Sequence, residues 1–180
     1  MSAESAVLSH ARRVGRALLF GRAPVALSAA LAVLLVAVAA WTVVTSRQAA
    51  AAERVESARG AAVSAASQLV PQILSYNYHT LAQDLATGEG ATTGGFTARY
   101  HDLFTRRIEP AARKEGVVTN ADVVGTSVVR ASERQVVTLV FIDQTTTDGG
   151  GATPRLDSSR ALVTLVPVGP RWLISAVTPI

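Results

Sequence analysis

The chain has 180 residues, a net charge of +4 and no cysteine, which excludes a disulfide scaffold, a thiolate zinc site and a cysteine nucleophile together. Its pI near 10.3 suggests nucleic acid, but Arg12, Arg13, Arg16 and Arg22 stand in residues 1–22 against Glu4 alone, and the rest of the chain is almost neutral. No basic face remains to release counterions from a phosphate backbone, so nucleic-acid binding loses its support.

Residues 1–22 read as a basic tail. The stretch Ala23–Ser46 that follows carries no charge. As a helix it covers ~36 Å against a hydrocarbon core of ~30 Å, so it is long enough to span a bilayer with some tilt. Pro24 sits in the first turn, where its missing N–H costs nothing. Trp41 lies near the far end, where an indole suits the water interface. A buried core helix is rarely apolar on every side over such a length. A cleaved signal peptide, cut after Ala37-Val38-Ala39, is the nearer alternative; the long polar region before the stretch and the apolar run on to Val44 count against it. The preceding arginines place the N-terminus in the cytoplasm and the C-terminal part outside.

Residues 47–70 are rich in alanine, which predicts a helical stalk. Val55, Ala62 and Leu69 recur every seven residues with Ala58 and Ala65 between them, a short small-residue seam. Pro71 is expected to kink or restart the helix, and residues 71–180 form the extracytoplasmic domain. There Leu74, Tyr78, Leu81 and Leu85 step along one helical face. The glycines between Thr87 and Gly95 predict a loop. A second amphipathic segment carries Phe96, Tyr100, Leu103, Phe104, Ile108 and Ala111, with Thr97 as N-cap, a bend at Pro110 and a stop at Gly116.

Beyond Gly116 the period changes from helix to strand. Val117–Thr119 with Ala121–Val124, Ser127–Ala131, Gln135–Gln144, Ser159–Val168 and Arg171–Thr178 are the candidates, with Gln135–Gln144 as a central strand. Thr145–Asp157 reads as an exposed hairpin loop, and Gly169-Pro170 as a tight link. In the last strand Trp172, Ile174 and Ala176 fall on one face. Hairpin-linked strands after N-terminal helices give an α+β fold with an antiparallel sheet.

One span, a helical stalk, Tyr76, Tyr78, Thr80, Leu81 and Asp84, then Gly95-Phe96 and Tyr100, and finally Trp172 in the last strand occur in this order. In this the chain resembles the Mce-associated membrane proteins of actinobacteria, where Mce stands for mammalian cell entry. The resemblance implies a cone-shaped extracytoplasmic domain of the nuclear-transport-factor-two-like type, a curved antiparallel sheet packed on helices. It implies a non-enzymatic accessory role in an envelope complex importing lipids or sterols, with Mce subunits or other membrane proteins as partners. No catalytic, cofactor or metal residue comes with it. The same fold serves enzymes and inner-membrane components of type IV secretion systems, so fold alone does not choose.

His79 with Asp84, and His101 with Asp102, are the places to look for metal or catalytic chemistry, but two histidines on separate segments fall short of a zinc site. Tyr76, Tyr78, Phe96 and Tyr100, with Trp172, form an aromatic set beside the glycine-rich stretch. They read either as helix-on-sheet packing or as the mouth of an apolar pocket for an acyl chain or sterol.

Overall fold

The computed structural model describes residues 23–150 and 153–180, with side chains from Leu27 onward; the basic tail, residues 1–22, lies outside the described residues. Two compact units are present, one ending at Ala51 and one running Ala52–Ile180. Helix α1 spans Ala23–Leu74 and passes through Pro71 without a break.

In the first unit the side chains of α1 are bare. Leu27, Leu31, Leu34, Leu35 and Trp41 are all more than half exposed, and the segment is long and apolar enough to cross a membrane. The hydroxyls here donate to the helix's own carbonyls: Thr42 to Ala39, Thr45 to Trp41 and Ser46 to Val43. An apolar solvent would demand this local satisfaction, since it offers no partner of its own.

In the second unit α1 buries one stripe. Ala58, Ala62, Ala66, Leu69, Val70 and Ile73 are each under a tenth exposed, at helical spacing. The small-residue seam therefore packs inside the unit, and Ala62 and Ala66 are wholly covered. Four short elements follow α1: strand β1 (Tyr76–Asn77), helix α2 (Leu81–Gly90), helix α3 (Gly95–Leu103), which runs through a π-helical turn at Phe104–Ile108, and helix α4 (Glu109–Glu115). Then come β2 (Val118–Ser132), β3 (Gln135–Thr147), β4 (Arg155–Val168) and β5 (Arg171–Pro179). The sheet is antiparallel in the order β1-β2-β3-β4-β5, with β3 at its centre. It curves over the helices, as the α+β reading requires.

Several local expectations are corrected. Leu74, Tyr78, Leu81 and Leu85 do not share one helix: α1 stops at Leu74, and Tyr76 pairs with Thr119 in the sheet. The Asp84 carboxylate accepts from the Asn77 N–H at 2.8 Å and from the Thr80 hydroxyl at 3.0 Å, which holds the turn between β1 and α2. Gly88 and Gly90 lie inside α2 rather than in a loop. Helix α3 starts at Gly95, with Gly94 at φ +62° as its cap, and Thr97 lies within it. Pro110 stands in the first turn of α4, where it needs no N–H. Gly116 closes α4 in the left-handed conformation at φ 66°, as expected of a C-terminal glycine.

The strands are longer than their patterns suggest. Val117–Val124 and Ser127–Ala131 belong to one strand, β2, whose register shifts between Val123 and Gly125 and between Val128 and Arg130. Each bulge adds one residue and resets which face follows, so Val123, Val128 and Ala131 all pack on the core. The bulge residues Val124 and Val129 are left exposed. In β5 the register against β4 shifts between Thr164 and Leu165, so that Val177 pairs with Val163 and Ile174 with Leu165. Val163 and Leu165 face the core, so Trp172, Ile174 and Val177 share that side, and Ala176 falls on the other. The loop expected at Thr145–Asp157 is strand at both ends.

Candidate functional site

Of the five aromatic residues singled out in the sequence, Tyr100 lies in the hydrophobic core of the second unit and Tyr76, Tyr78, Phe96 and Trp172 pack against it. The π-helical turn brings Phe104 inward to 1% exposure. Its ring then stands edge-on to Tyr76 at 6.3 Å and tilted to Tyr100 at 5.9 Å. Phe104 is thus the link between two of the expected residues; its amphipathic position is legible in the sequence, its central role is not. Tyr78 stacks on its neighbour His79 at 3.8 Å. Phe96 is half-buried, with the Arg99 guanidinium 5.7 Å above its ring.

Tyr100 is 5% exposed, and its hydroxyl has no hydrogen-bond partner. Burial, with the charges of Asp84 and Glu89 adding to it, pushes its pKa up to about 12. The hydroxyl lies against Gly88, where a Cβ would fall 2.2 Å from the oxygen. Glycine at this position is what allows α2 and α3 to close on the ring. A phenol held neutral in this way is a packing element rather than an acid or base near pH 7.

The histidines take separate structural roles. His101 Nδ1 donates to Glu89 Oε1 at 2.6 Å, joining α3 to α2 on an exposed face. Asp102 instead faces Arg106 at 3.6 Å. The N–H of His79 donates to the Asn77 side chain. Among the described residues no three His, Cys, Asp or Glu side chains gather as a metal would need.

Trp172 stands apart, in a groove of about 450 Å³ between α1 and the start of β5. Ala61, Ala65 and Leu69 supply its apolar floor, and Gln68, Gln72 and Arg171 its polar edge. Arg171 is steadied by donating to the Gly90 carbonyl at 3.1 Å. Gln68 donates to the Ser64 hydroxyl at 3.3 Å. An open groove with a Trp and an Arg at its lip has the residue types that dominate protein contacts, and no nucleophile-base pair lines it.

The sequence matches no protein-family model. Over 121 residues it is 40% identical to the uncharacterized protein Rv1362c of Mycobacterium tuberculosis, covering 67% of this chain and 54% of that one. The chain thus spans about half the length of that relative. Among solved structures, an IcmL-like type IV secretion system protein of Legionella pneumophila matches with TM-score 0.58 and 11% identity over 68% of this chain and 93% of that one. CagV of Helicobacter pylori, a VirB8 homologue, matches with TM-score 0.53 and 11% identity over 67% and 98%. At such identities the likeness is one of fold: an apolar helix, then a curved five-stranded sheet packed on helices, as in VirB8-like domains. Outer membrane protein Rv1973 of Mycobacterium tuberculosis is 34% identical over 123 residues, which cover 68% of this chain and 76% of that protein. By that extent of identity, the chain belongs to the family of outer membrane protein Rv1973.

Proposed function

We propose that the chain is a non-enzymatic accessory subunit, anchored by one span, that docks onto a lipid- or sterol-importing complex of the Mce type in the cell envelope. One observation carries the non-catalytic, protein-binding reading: the space between sheet and helices is filled by the domain's own side chains. Leu81, Phe104, Leu165 and Ile174 are each 2% exposed or less and lie in that interior. What the second unit leaves on its surface is a groove with Trp172 and Arg171, suited to a partner chain. Residues 23–46 serve as the span and residues 1–22 as its cytoplasmic flank. Residues 47–70 continue as helix into an extracytoplasmic domain at 71–180. Tyr76, Tyr78, Phe96 and Tyr100 act in this reading as packing residues, and Trp172 as a contact residue.

A second reading, a component of a type IV secretion machine, is favoured by the shared fold of CagV and the IcmL-like protein. Affinity purification of the full-length chain from membranes of its own host, read by quantitative mass spectrometry, separates the two. Enrichment of Mce subunits supports the first reading, enrichment of secretion ATPases the second, and a chain recovered alone refutes both. The same preparation under native mass spectrometry tests a third possibility, since a copurified lipid mass would assign a lipid-binding role.

A further inference from the structure

Within the second unit, helix α1 and strand β2 run side by side in opposite directions. Arg54 pairs with Glu133 at 3.3 Å, the Ser67 and Thr126 hydroxyls meet at 3.3 Å, and the Ala121 N–H donates to the Ser75 hydroxyl at 3.0 Å. The end of the sheet where α1 enters the unit is therefore the end with the β2–β3 turn, at Glu133-Arg134. Neighbouring strands are antiparallel, so the β4–β5 turn at Gly169-Pro170 lies at the same end. Charge is divided along the sheet. Arg130, Arg134 and Arg171 stand at this end with Glu133, whose carboxylate is already held by Arg54. Asp122, Asp143, Asp148 and Asp157 stand toward the other end, with Arg155 and Arg160. Among the described residues no carboxylate pairs with Arg130 or Arg134. The β4–β5 turn also exposes apolar groups, Val168 at 44% and Pro170 beside it.

We propose that this end of the second unit docks on the lipid surface that the span crosses. Arg130 and Arg134 place their guanidiniums on anionic phosphate headgroups, and Val168 and Pro170 enter the interface between them. Chain length favours this end. Arg54 follows Ser46, the last residue of the uncharged stretch, by eight residues, which reach at most ~29 Å even when fully extended. Turned over, the unit would have to carry this end ~40 Å from the surface, the length of β4 from Leu156 to Val168 and farther than the tether reaches. Charge favours it too: guanidiniums on long apolar stems can reach headgroup phosphates while the stems cover hydrocarbon, and the aspartates at the other end are kept away from an anionic surface. Tethering holds the arginines at high effective concentration beside the lipid, so a few weak contacts are enough. The proposal rests on anchoring by the span alone, and it is the same whichever complex the protein serves and whichever side of the membrane holds the second unit.

Because the chain lacks cysteine, a single Val168→Cys substitution in the full-length protein gives one site for a fluorophore. The labelled protein is reconstituted in vesicles of phosphatidylcholine and phosphatidylglycerol that carry nitroxide on a share of their headgroups. Leu156→Cys, 64% exposed near the other end of β4, is the control position. The headgroup nitroxide is expected to quench the label at position 168 and to leave the label at 156 bright. Arg130→Gln combined with Arg134→Gln should lower the ratio of quenched to unquenched label, read from fluorescence lifetimes, by about twenty-fivefold, or about fivefold for each arginine. Circular dichroism should not change, since both side chains are exposed. Vesicles of phosphatidylcholine alone should weaken the quenching in the same way. Equal quenching at the two positions, or quenching at 168 that survives either the arginine changes or the loss of phosphatidylglycerol, would overturn the proposal. Quenching of the label at 168 by a nitroxide carried on a second copy, with none from the headgroups, would give this end to self-association and overturn lipid as its occupant.

Discussion

Gly88→Ala tests the packing of α2 on α3 most sharply, because two known effects oppose each other there. Alanine for glycine inside a helix is ordinarily stabilising by about 1 kcal/mol. Here the added Cβ would stand 2.2 Å from the Tyr100 hydroxyl oxygen, 2.5 Å from Cζ and 2.6 Å from Cε1. Carbon contacts prefer about 3.5–4.0 Å, so the ring must retreat by about 1 Å or more. Tyr100 is 5% exposed and backed by Phe104, so it has little room to go. Overpacking of this kind costs about 1–3 kcal/mol, which leaves a net loss of about 0–2 kcal/mol once the propensity gain is counted. That corresponds to a Tm lower by up to roughly 8 °C for a domain of this size, in place of the rise that the propensity gain alone would give. The assay is thermal unfolding of the full-length protein in detergent, followed by Trp172 fluorescence in a Trp41→Phe background. Gly90→Ala is the internal control: nothing lies within 4 Å of its added Cβ, so it should leave Tm unchanged or raise it. If Gly88→Ala stabilises the protein as much as Gly90→Ala does, the close approach of Tyr100 to α2 is wrong.

Tyr100→Phe should be neutral or stabilising by up to about 1 kcal/mol, because it removes a buried hydroxyl that has no partner. The raised pKa of Tyr100 also sets a pH dependence. The unfolded phenol ionises near 10 and the folded one near 12; the stabilisation is complete below pH 10 and is lost as pH climbs toward 12. Denaturant titrations across that window should show a falling midpoint in the wild-type chain and a shallower fall in Tyr100→Phe. Phe104→Ala should cost about 3–5 kcal/mol, seen as a large loss of midpoint in the same assay, because the ring at 1% exposure joins Tyr76 to Tyr100.

How far the fold can be read from the chain depends on how local each cause is. The apolar run Ala23–Ser46, the alanine-rich helix after it and the stop at Gly116 depend on neighbours within a turn or two, and these are legible. So are the cores of β3, β4 and β5, where β-branched residues follow one another. The aromatic set is legible as residue types but not as a site. Tyr76 and Tyr100 both meet Phe104, and Trp172 turns to the face of α1 with Ala65 and Leu69. Gly88 and Gly90 read as a loop because glycine is a poor helix former, and the reason for keeping Gly88 in a helix, the ring of Tyr100, lies outside the segment.

Composition and period alone thus determine an uncharged helix long enough to cross a bilayer, flanked by arginines, and a helices-then-strands order that makes the domain α+β. Hydrophobic transfer and backbone propensity act along the chain, so they leave their mark in its pattern. Where α1 ends and which face each residue beyond a bulge takes are settled by partners far away in sequence. Tyr76 needs Thr119, and Val177 needs Val163. Pairing across a sheet is a non-local choice, and only the folded chain makes it.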